Sequence, residues 1–271
     1  MKQELRAFSS VDKTEDPEVF VRFLDAINQF DMVQTLKRHT LDAMQIQPGH
    51  HILDVGCGLG DTIRMAAELV GPSGRAVGID QSETMLAEAR KRSQSSAIPI
   101  EFKHCNAQSL DFPDNTFDGC RADRVLLYVD DPRVVLSEMA RVTKPGGRVV
   151  NFEPDWQTTV VDALNKSLTR RITDFWCDSL PNAWIGRQLS RLQKDVGLVD
   201  ATVFGLTLTL PTYKLFNDLF MVEATVASAV QNGAITTDEA EEWLGSLKDS
   251  DRAGQFFFGN TGFIVSGRKP K

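Results

Sequence analysis

Four cysteines and four histidines are few for 271 residues, and their spacing carries no metal signature. Cys57, Cys105, Cys120 and Cys177 form no C-x-x-C pair, so reduced, mostly buried thiols are the expected state. His50 and His51 are adjacent and do not share one face of a strand. With His39 and His104 they make neither a zinc set nor a Cys–His nucleophile pair. No apolar run approaches the roughly 18 residues needed to span a bilayer. The first residues, Met1-Lys2-Gln3-Glu4-Leu5-Arg6, are polar and lack a signal-peptide core, so a cytoplasmic protein is expected. There is no basic tract either. The 37 acidic and 30 basic side chains give a net charge of −7, a poor balance for wrapping nucleic acid. Internal repeats and low-complexity linkers are missing. What remains is ordinary for a globular chain, 42% hydrophobic and 25% charged, which excludes wholesale disorder, collagen and coiled coil. The length suits one large α/β unit or a core with caps.

Hydrophobic periodicity predicts alternating strands and helices. Residues 17–44 read as two amphipathic helices, the first carrying Phe20, Phe23, Leu24, Ile27 and Phe30, the second Val33, Leu36, Leu41 and Met44. Short buried strands are expected at 52–55, 76–80 and 100–104, a fourth from Phe117 running toward Leu126-Leu127, and a fifth from Arg148 to Phe152. Helices are expected at 61–70, after the Ser82 cap, and after Asp131-Pro132; Lys144-Pro145-Gly146-Gly147 reads as a turn. This alternation predicts a parallel sheet with right-handed crossovers. Beyond Phe152 it lapses into helices at 162–180, 186–196, 212–231 and 237–248, with strands at 201–210 and 256–268. The helical excursions at 155–195 and 212–250 are candidate caps over the sheet edge.

The sharpest signal is Leu53-Asp54-Val55-Gly56-Cys57-Gly58-Leu59-Gly60-Asp61, a strand that runs through a glycine turn into a helix. Glycines admit a ligand close to the backbone, and ligands of open α/β sheets bind at the carboxyl ends of the strands. The spacing is not G-x-G-x-x-G, because position 61 is Asp and the third glycine arrives at 60; a P-loop is absent too. Asp54 would repel a pyrophosphate and suits a ligand bearing an ammonium group. Asp80 ends the second strand, where a carboxylate accepts bonds from ribose hydroxyls. Asn106-Ala107 follows the third strand and offers an amide to an adenine edge.

Four segments, in order and spacing, carry a resemblance. They are Asp54 through Gly60; Gly78-Ile79-Asp80-Gln81-Ser82 with Met85; Phe112-Pro113-Asp114-Asn115-Thr116-Phe117-Asp118; and Glu138 through Gly147. Together they make the chain resemble the class I S-adenosyl-L-methionine (SAM)-dependent methyltransferases, within the group of ubiquinone/menaquinone-type methylases. The resemblance covers about residues 45–152. It implies a Rossmann-like, seven-stranded, mainly parallel sheet flanked by helices, its last strand antiparallel, with helical caps. A single methyltransferase domain over 1–271 would then divide into an N-terminal helical cap (1–44) and a SAM-binding core (45–152). The substrate cap would comprise 155–195 and 212–250, and the late strands 196–210 and 256–271. SAM would be the cofactor and S-adenosyl-L-homocysteine the product. Gly56, Cys57 and Gly58 would meet the methionine portion; Asp54 would orient the loop or the ammonium, and Arg121 would also contact the cofactor. Asp80 would take the ribose, Gln81 and Met85 would flank the adenine, and Asn106 and Ala107 would sit at its edge. Asn106 stands where the family often has Asp, and Tyr128 where relatives commonly have His, which removes a histidine base.

At the acceptor side, Tyr128, Glu153 and Asp155 are the catalytic candidates, with Trp156, Asn182, Trp184 and Arg187 as further lining. The expected reaction is in-line displacement onto a nitrogen, oxygen or carbon of a small, ring-bearing molecule, where the protein mainly supplies proximity and needs a base only if the acceptor loses a proton. A homodimer is an open expectation. Three alternatives stand beside this: a quinone-ring C-methyltransferase, a non-catalytic SAM-binding module, and a nicotinamide oxidoreductase. The last lacks a Tyr-x-x-x-Lys pair, since Tyr128 is followed four on by Pro132 and Tyr213 by Asn217.

Overall fold

The computed structural model describes residues 5–271. Strand β1 (His51–Val55) lies between parallel partners β2 (Arg75–Asp80) and β4 (Phe117–Asp123). Outside these lie β3 (Ile100–His104) and β5 (Thr143–Pro154), also parallel. Strand β8 (Phe258–Arg268) runs antiparallel to β5 along one edge and to β7 (Val199–Leu210) along the other. The expected seven strands and the antiparallel last strand are there, with one addition. After β5 the chain makes a single turn, Trp156–Thr158, and the two residues of β6 (Val160–Val161) return to pair with the start of β8.

Alternation along the strands sorts the apolar side chains into two cores, because successive residues of a strand point to opposite faces. Ile52, Ala76, Val150 and Ile264 pack on one face with residues of α2 (Asp31–Met44) and α3 (Asp61–Val70), among them Leu41 and Ile63. Their neighbours Leu53, Val77, Val149 and Val265 pack on the other, against α5 (Pro132–Val142) and α7 (Ile185–Asp195) through Leu136, Met139 and Leu189. Each of the buried Val, Leu, Ile and Met side chains contributes roughly 1.5–3 kcal/mol. The remaining helices are α1 (Glu18–Asn28), α4 (Glu83–Arg92), α6 (Lys166–Asp178), α8 (Tyr213–Phe220), α9 (Val222–Gln231) and α10 (Thr237–Arg252).

Three sequence expectations change. Strand β4 stops at Asp123 instead of running toward Leu127, because Arg124 adopts a left-handed conformation (φ 56°) that turns the chain. Strand β5 begins at Thr143, before the expected Arg148; a register break between Phe117 and Gly119 absorbs the Pro145-Gly146-Gly147 segment as an irregular extension. The helix expected at 212–231 is two helices, broken at Met221, which is also left-handed (φ 50°). A further element had no sequence signal. Leu5–Lys13 forms a 3-10 segment kinked at Ser10, and it lies across the carboxyl edge of the sheet.

Candidate active site

A cavity of about 710 Å³ opens at the carboxyl edge of β1, β2 and β4, within the ordinary range for small-molecule sites. The turn after β1 forms one wall. Gly56 and Gly58 hold left-handed φ values of 69° and 51°. A Cβ on Gly56 would lie 2.4 Å from Val125 Cγ2, so neither conformation nor space admits another residue there. Beside this turn Asp80 ends β2. Its Oδ2 accepts from Gly58 N at 2.9 Å and its Oδ1 from Ser82 N at 3.0 Å. Burial raises this carboxyl, with the backbone N–H bonds opposing. Each oxygen keeps a lone pair for a ligand hydroxyl. Asn106 follows β3, its Oδ1 accepting from Gln108 N at 2.9 Å, which leaves the amide nitrogen to donate.

The floor is a buried charge network. Arg121, 3% exposed, donates Nη1 to Asp54 Oδ1 (2.8 Å), Nη2 to Asp123 Oδ2 (2.6 Å) and Nε to Thr40 Oγ1 (2.9 Å). Arg121 reaches the cavity wall, but its nitrogens are committed to protein partners. Its expected place in cofactor binding is thereby corrected to one of positioning Asp54. Asp54 in turn brings no unmatched negative charge to an ammonium, though it lines the cavity. Two cations that the sequence reading missed also line it. Lys37 on α2, 4% exposed, donates to Asn28 Oδ1 at 2.6 Å and stands 3.6 Å from Asp61; burial lowers its ammonium, against the pull of Asp61. Arg124 spends its Nε on Asp123 (2.7 Å). Lys37 carries no sequence signal of its own, because its partners come from α1 and α3.

The N-terminal segment closes the cavity. Asp12 accepts from Ser82 Oγ (2.6 Å) and Glu83 N (2.8 Å) at the start of α4, and Gln81 Nε2 donates to Ser9 O (3.0 Å). Phe8 lies over Tyr128 with ring centroids 6.0 Å apart. Cys57, Met85 and Ala107 complete the near wall, so each sequence-predicted cofactor residue borders this one space.

The catalytic candidates divide. Tyr128 lines the cavity, and burial raises its phenol, so it stays protonated at neutral pH. Glu153 and Asp155 do not line it. Glu153 is fully buried beneath the turn after β4, where Oε1 accepts from Val125 N (2.9 Å) and Leu126 N (2.6 Å). Burial pushes its carboxyl up to about 8, against these N–H donors. Asp155 is held by the guanidinium of Arg187, with Nη2 to Oδ1 at 2.6 Å. Both were expected at the cleft because strand ends face it; the side chains instead point into the protein and organise the loops that do. Asn182 likewise donates to Leu126 O (3.0 Å) and Val129 O (2.7 Å), and Trp184 is 46% exposed under Arg187, 4.9 Å from its guanidinium. Of the aromatic residues in the caps, Trp156 and Phe220 reach the cavity, their rings 5.6 Å apart. Trp176, Phe216 and Phe258 pack behind them.

Residues 53–151 match the family described as "Methyltransferase domain". An uncharacterized 37.1 kDa protein of transposon TN4556 from Streptomyces fradiae is 34% identical over 250 residues, covering 90% of this chain and 70% of that protein. The demethylmenaquinone methyltransferase of Geobacillus sp. (strain WCH70) is 31% identical over 211 residues, covering 70% of this chain and 90% of that enzyme. The similarity to the Anoxybacillus flavithermus enzyme of the same name is shorter, 39% over 149 residues, spanning 63% of its length. In fold, the YcgJ protein of Bacillus subtilis superposes with a TM-score of 0.60 at 18% identity, over 86% of this chain and 99% of that one. The Haemonchus contortus phosphoethanolamine N-methyltransferase 2, solved in complex with SAM, gives 0.54 at 20% identity, over 88% and 53%. The Geobacillus similarity spans nearly that whole enzyme, and with the matched domain it places this chain in the class I SAM-dependent methyltransferases, with SAM as its cofactor.

Proposed function

We propose that the chain transfers the SAM methyl group to a small, ring-bearing molecule held in the same cavity. The observation that carries this reading is continuity. One space runs from the glycine turn, Asp80 and Asn106 to an apolar chamber formed by Trp156, Phe220, Leu206, Leu208 and Phe152. Bound SAM supplies an activated methyl on a sulfonium. In this reading Asp80 takes the ribose hydroxyls, Met85 packs on the adenine with Gln81 beside it, and Asn106 and Ala107 meet its edge. Gly56, Cys57 and Gly58 bring backbone against the methionine portion. Lys37 and Arg124 form the cationic end that suits a carboxylate. Tyr128 and Phe8 form an aromatic wall that favours a sulfonium and excludes water.

None of the five chamber residues named above carries a carboxylate or imidazole, and Tyr128 is held protonated. The acceptor atom is therefore one that attacks without surrendering a proton to the protein first, and the chain contributes orientation and desolvation. A second reading, methylation of a quinol ring carbon, draws on the name of the Geobacillus relative and fits the same apolar chamber.

Two sets of substitutions separate donor from acceptor. Asp80→Ala is expected to weaken SAM by about 1–3 kcal/mol, the range for lost charged hydrogen bonds. Trp156→Ala and Phe220→Ala are expected to raise the acceptor KM or lower kcat by tenfold or more while SAM affinity holds within about twofold. Wild-type acceptor kinetics in both chamber variants, measured on folded protein, would move the acceptor out of this chamber.

A further inference from the structure

We infer that the acceptor presents a hydroxyl or amine hydrogen to Asn260, and that this amide selects it against hydrocarbon analogues of the same shape. The inference rests on the chamber being the acceptor site.

Asn260 lies on β8 near its start and lines the chamber beside Leu206, Leu208, Phe220 and Trp156. It is 6% exposed. Its amide nitrogen donates to Asp155 O at 3.1 Å and to Thr159 Oγ1 at 3.0 Å. The carbonyl of Asp155 only accepts, so the nitrogen must face it, and the orientation of the amide is fixed by chemistry. That leaves Oδ1. It takes no hydrogen bond from any described residue, and it is not among the side-chain atoms sealed from solvent without a partner. A buried amide with both donor hydrogens committed thus turns its acceptor toward an otherwise apolar wall.

Such an atom discriminates. A ligand that brings an O–H or N–H satisfies it. A ligand that brings a methyl there displaces water and leaves the carbonyl unpaired, and a site built to take a hydrogen bond rejects the analogue lacking it far more strongly than an apolar site rejects an extra methylene. The acceptor class is accordingly an aromatic or alicyclic body bearing a phenol, alcohol or amine, with that group at the β8 side of the chamber. The hydrogen bond to Oδ1 leaves an amine's lone pair free to attack, so an amine there can itself be the methylated group, whereas a hydroxyl orients the ring for attack from another atom.

The test uses the full chain loaded with S-adenosyl-L-homocysteine, which prevents turnover, and two probes of nearly equal shape, 2-naphthol and 2-methylnaphthalene. Dissociation constants are measured by calorimetry for the wild type, Asn260→Leu, Asn260→Ala and Trp156→Ala. The wild type is expected to prefer 2-naphthol roughly tenfold or more. That preference is expected to fall below about twofold in both Asn260 variants. Equal affinities in the wild type overturn the inference without recourse to any variant. A preference that survives in both Asn260 variants also overturns it, since another group would then be supplying the acceptor. If both probes bind weakly and Trp156→Ala changes neither, the chamber itself is not the acceptor site, and the proposed function fails with the inference. If Trp156→Ala weakens both probes but no preference exists, the chamber stands and only the assignment of Asn260 falls.

Discussion

Arg121→Met is expected to lower folding stability by roughly 3–5 kcal/mol, the cost of removing one partner from a buried ion pair. The loss falls on a total of about 5–15 kcal/mol for a typical domain. The reason lies in what Arg121 holds. It is the joint between β1 and β4, pairing Asp54 of one strand with Asp123 of its own and reaching Thr40 on α2. Asp54 is 2% exposed, and burial already raises its carboxyl against the pull of Arg121. Without the guanidinium, two carboxylates remain in the floor of the site, and Asp123 keeps only Arg124 and the more distant Lys37 to offset its charge. Thermal melts are expected to shift down by on the order of 10 °C. Adding Asp54→Asn to Arg121→Met removes one stranded charge and is expected to restore part of the loss, a non-additivity that independent sites do not show. A melt within 2 °C of wild type would mean that the network is solvated in a way the burial of Arg121 does not allow.

The second large effect is a pH dependence. Glu153 carries a carboxyl pushed up to about 8 by burial, from an ordinary value of 4.5. Between those values the unfolded chain has released a proton that the folded chain retains. Stability is therefore greatest below the lower value and declines as pH rises through the upper one. The slope is at most about 1.4 kcal/mol per pH unit, and the whole loss is on the order of 3–5 kcal/mol by pH 9. Glu153→Gln keeps a carbonyl oxygen for Val125 N and Leu126 N and cannot ionise. The variant is expected to match the wild type only near or below pH 4.5, to exceed it by about 1 kcal/mol at pH 5.5 and by several kcal/mol at pH 9. Denaturant titrations across pH 5–9 check this, and parallel curves for the two proteins would assign the pH dependence to other groups. The same burial explains why Glu153 is no general base. Its carboxyl faces two backbone amides under the turn after β4, not the cavity.

The glycine-turn end of the cavity was legible because its lining residues follow strand ends. Gly56, Gly58, Asp80 and Asn106 each stand at the carboxyl end of a strand or just beyond it, and a parallel sheet brings those ends together whatever the rest of the chain does. The apolar chamber proposed for the acceptor was not legible in the same way. Trp156 follows a strand and was found; Asn260 comes from the antiparallel β8, whose start joins the carboxyl edge only because β8 reverses direction beside β5. Glu153 and Asp155 failed as predictions because residue type and position at a strand end do not reveal which face a side chain takes. Arg124 was passed over because its left-handed backbone, which ends β4 early, has no signature in a sequence that otherwise continues as a strand. Most aromatic residues of the caps pack against one another, as the 6.0 Å approach of Trp176 and Phe216 illustrates. Trp184, expected as lining, does not border the cavity.

The most direct measurement supplies methyl-labelled SAM to the full chain with a panel of phenols, naphthols, quinols and aryl amines, then separates organic-soluble products from protein and nucleic acid. Methyl transfer to a small acceptor leaves label in an organic-soluble product, forms one S-adenosyl-L-homocysteine per methyl transferred, and loses that label with Trp156→Ala. Label recovered in protein or nucleic acid, or in an organic product whose yield is untouched by Trp156→Ala, would contradict the proposed function.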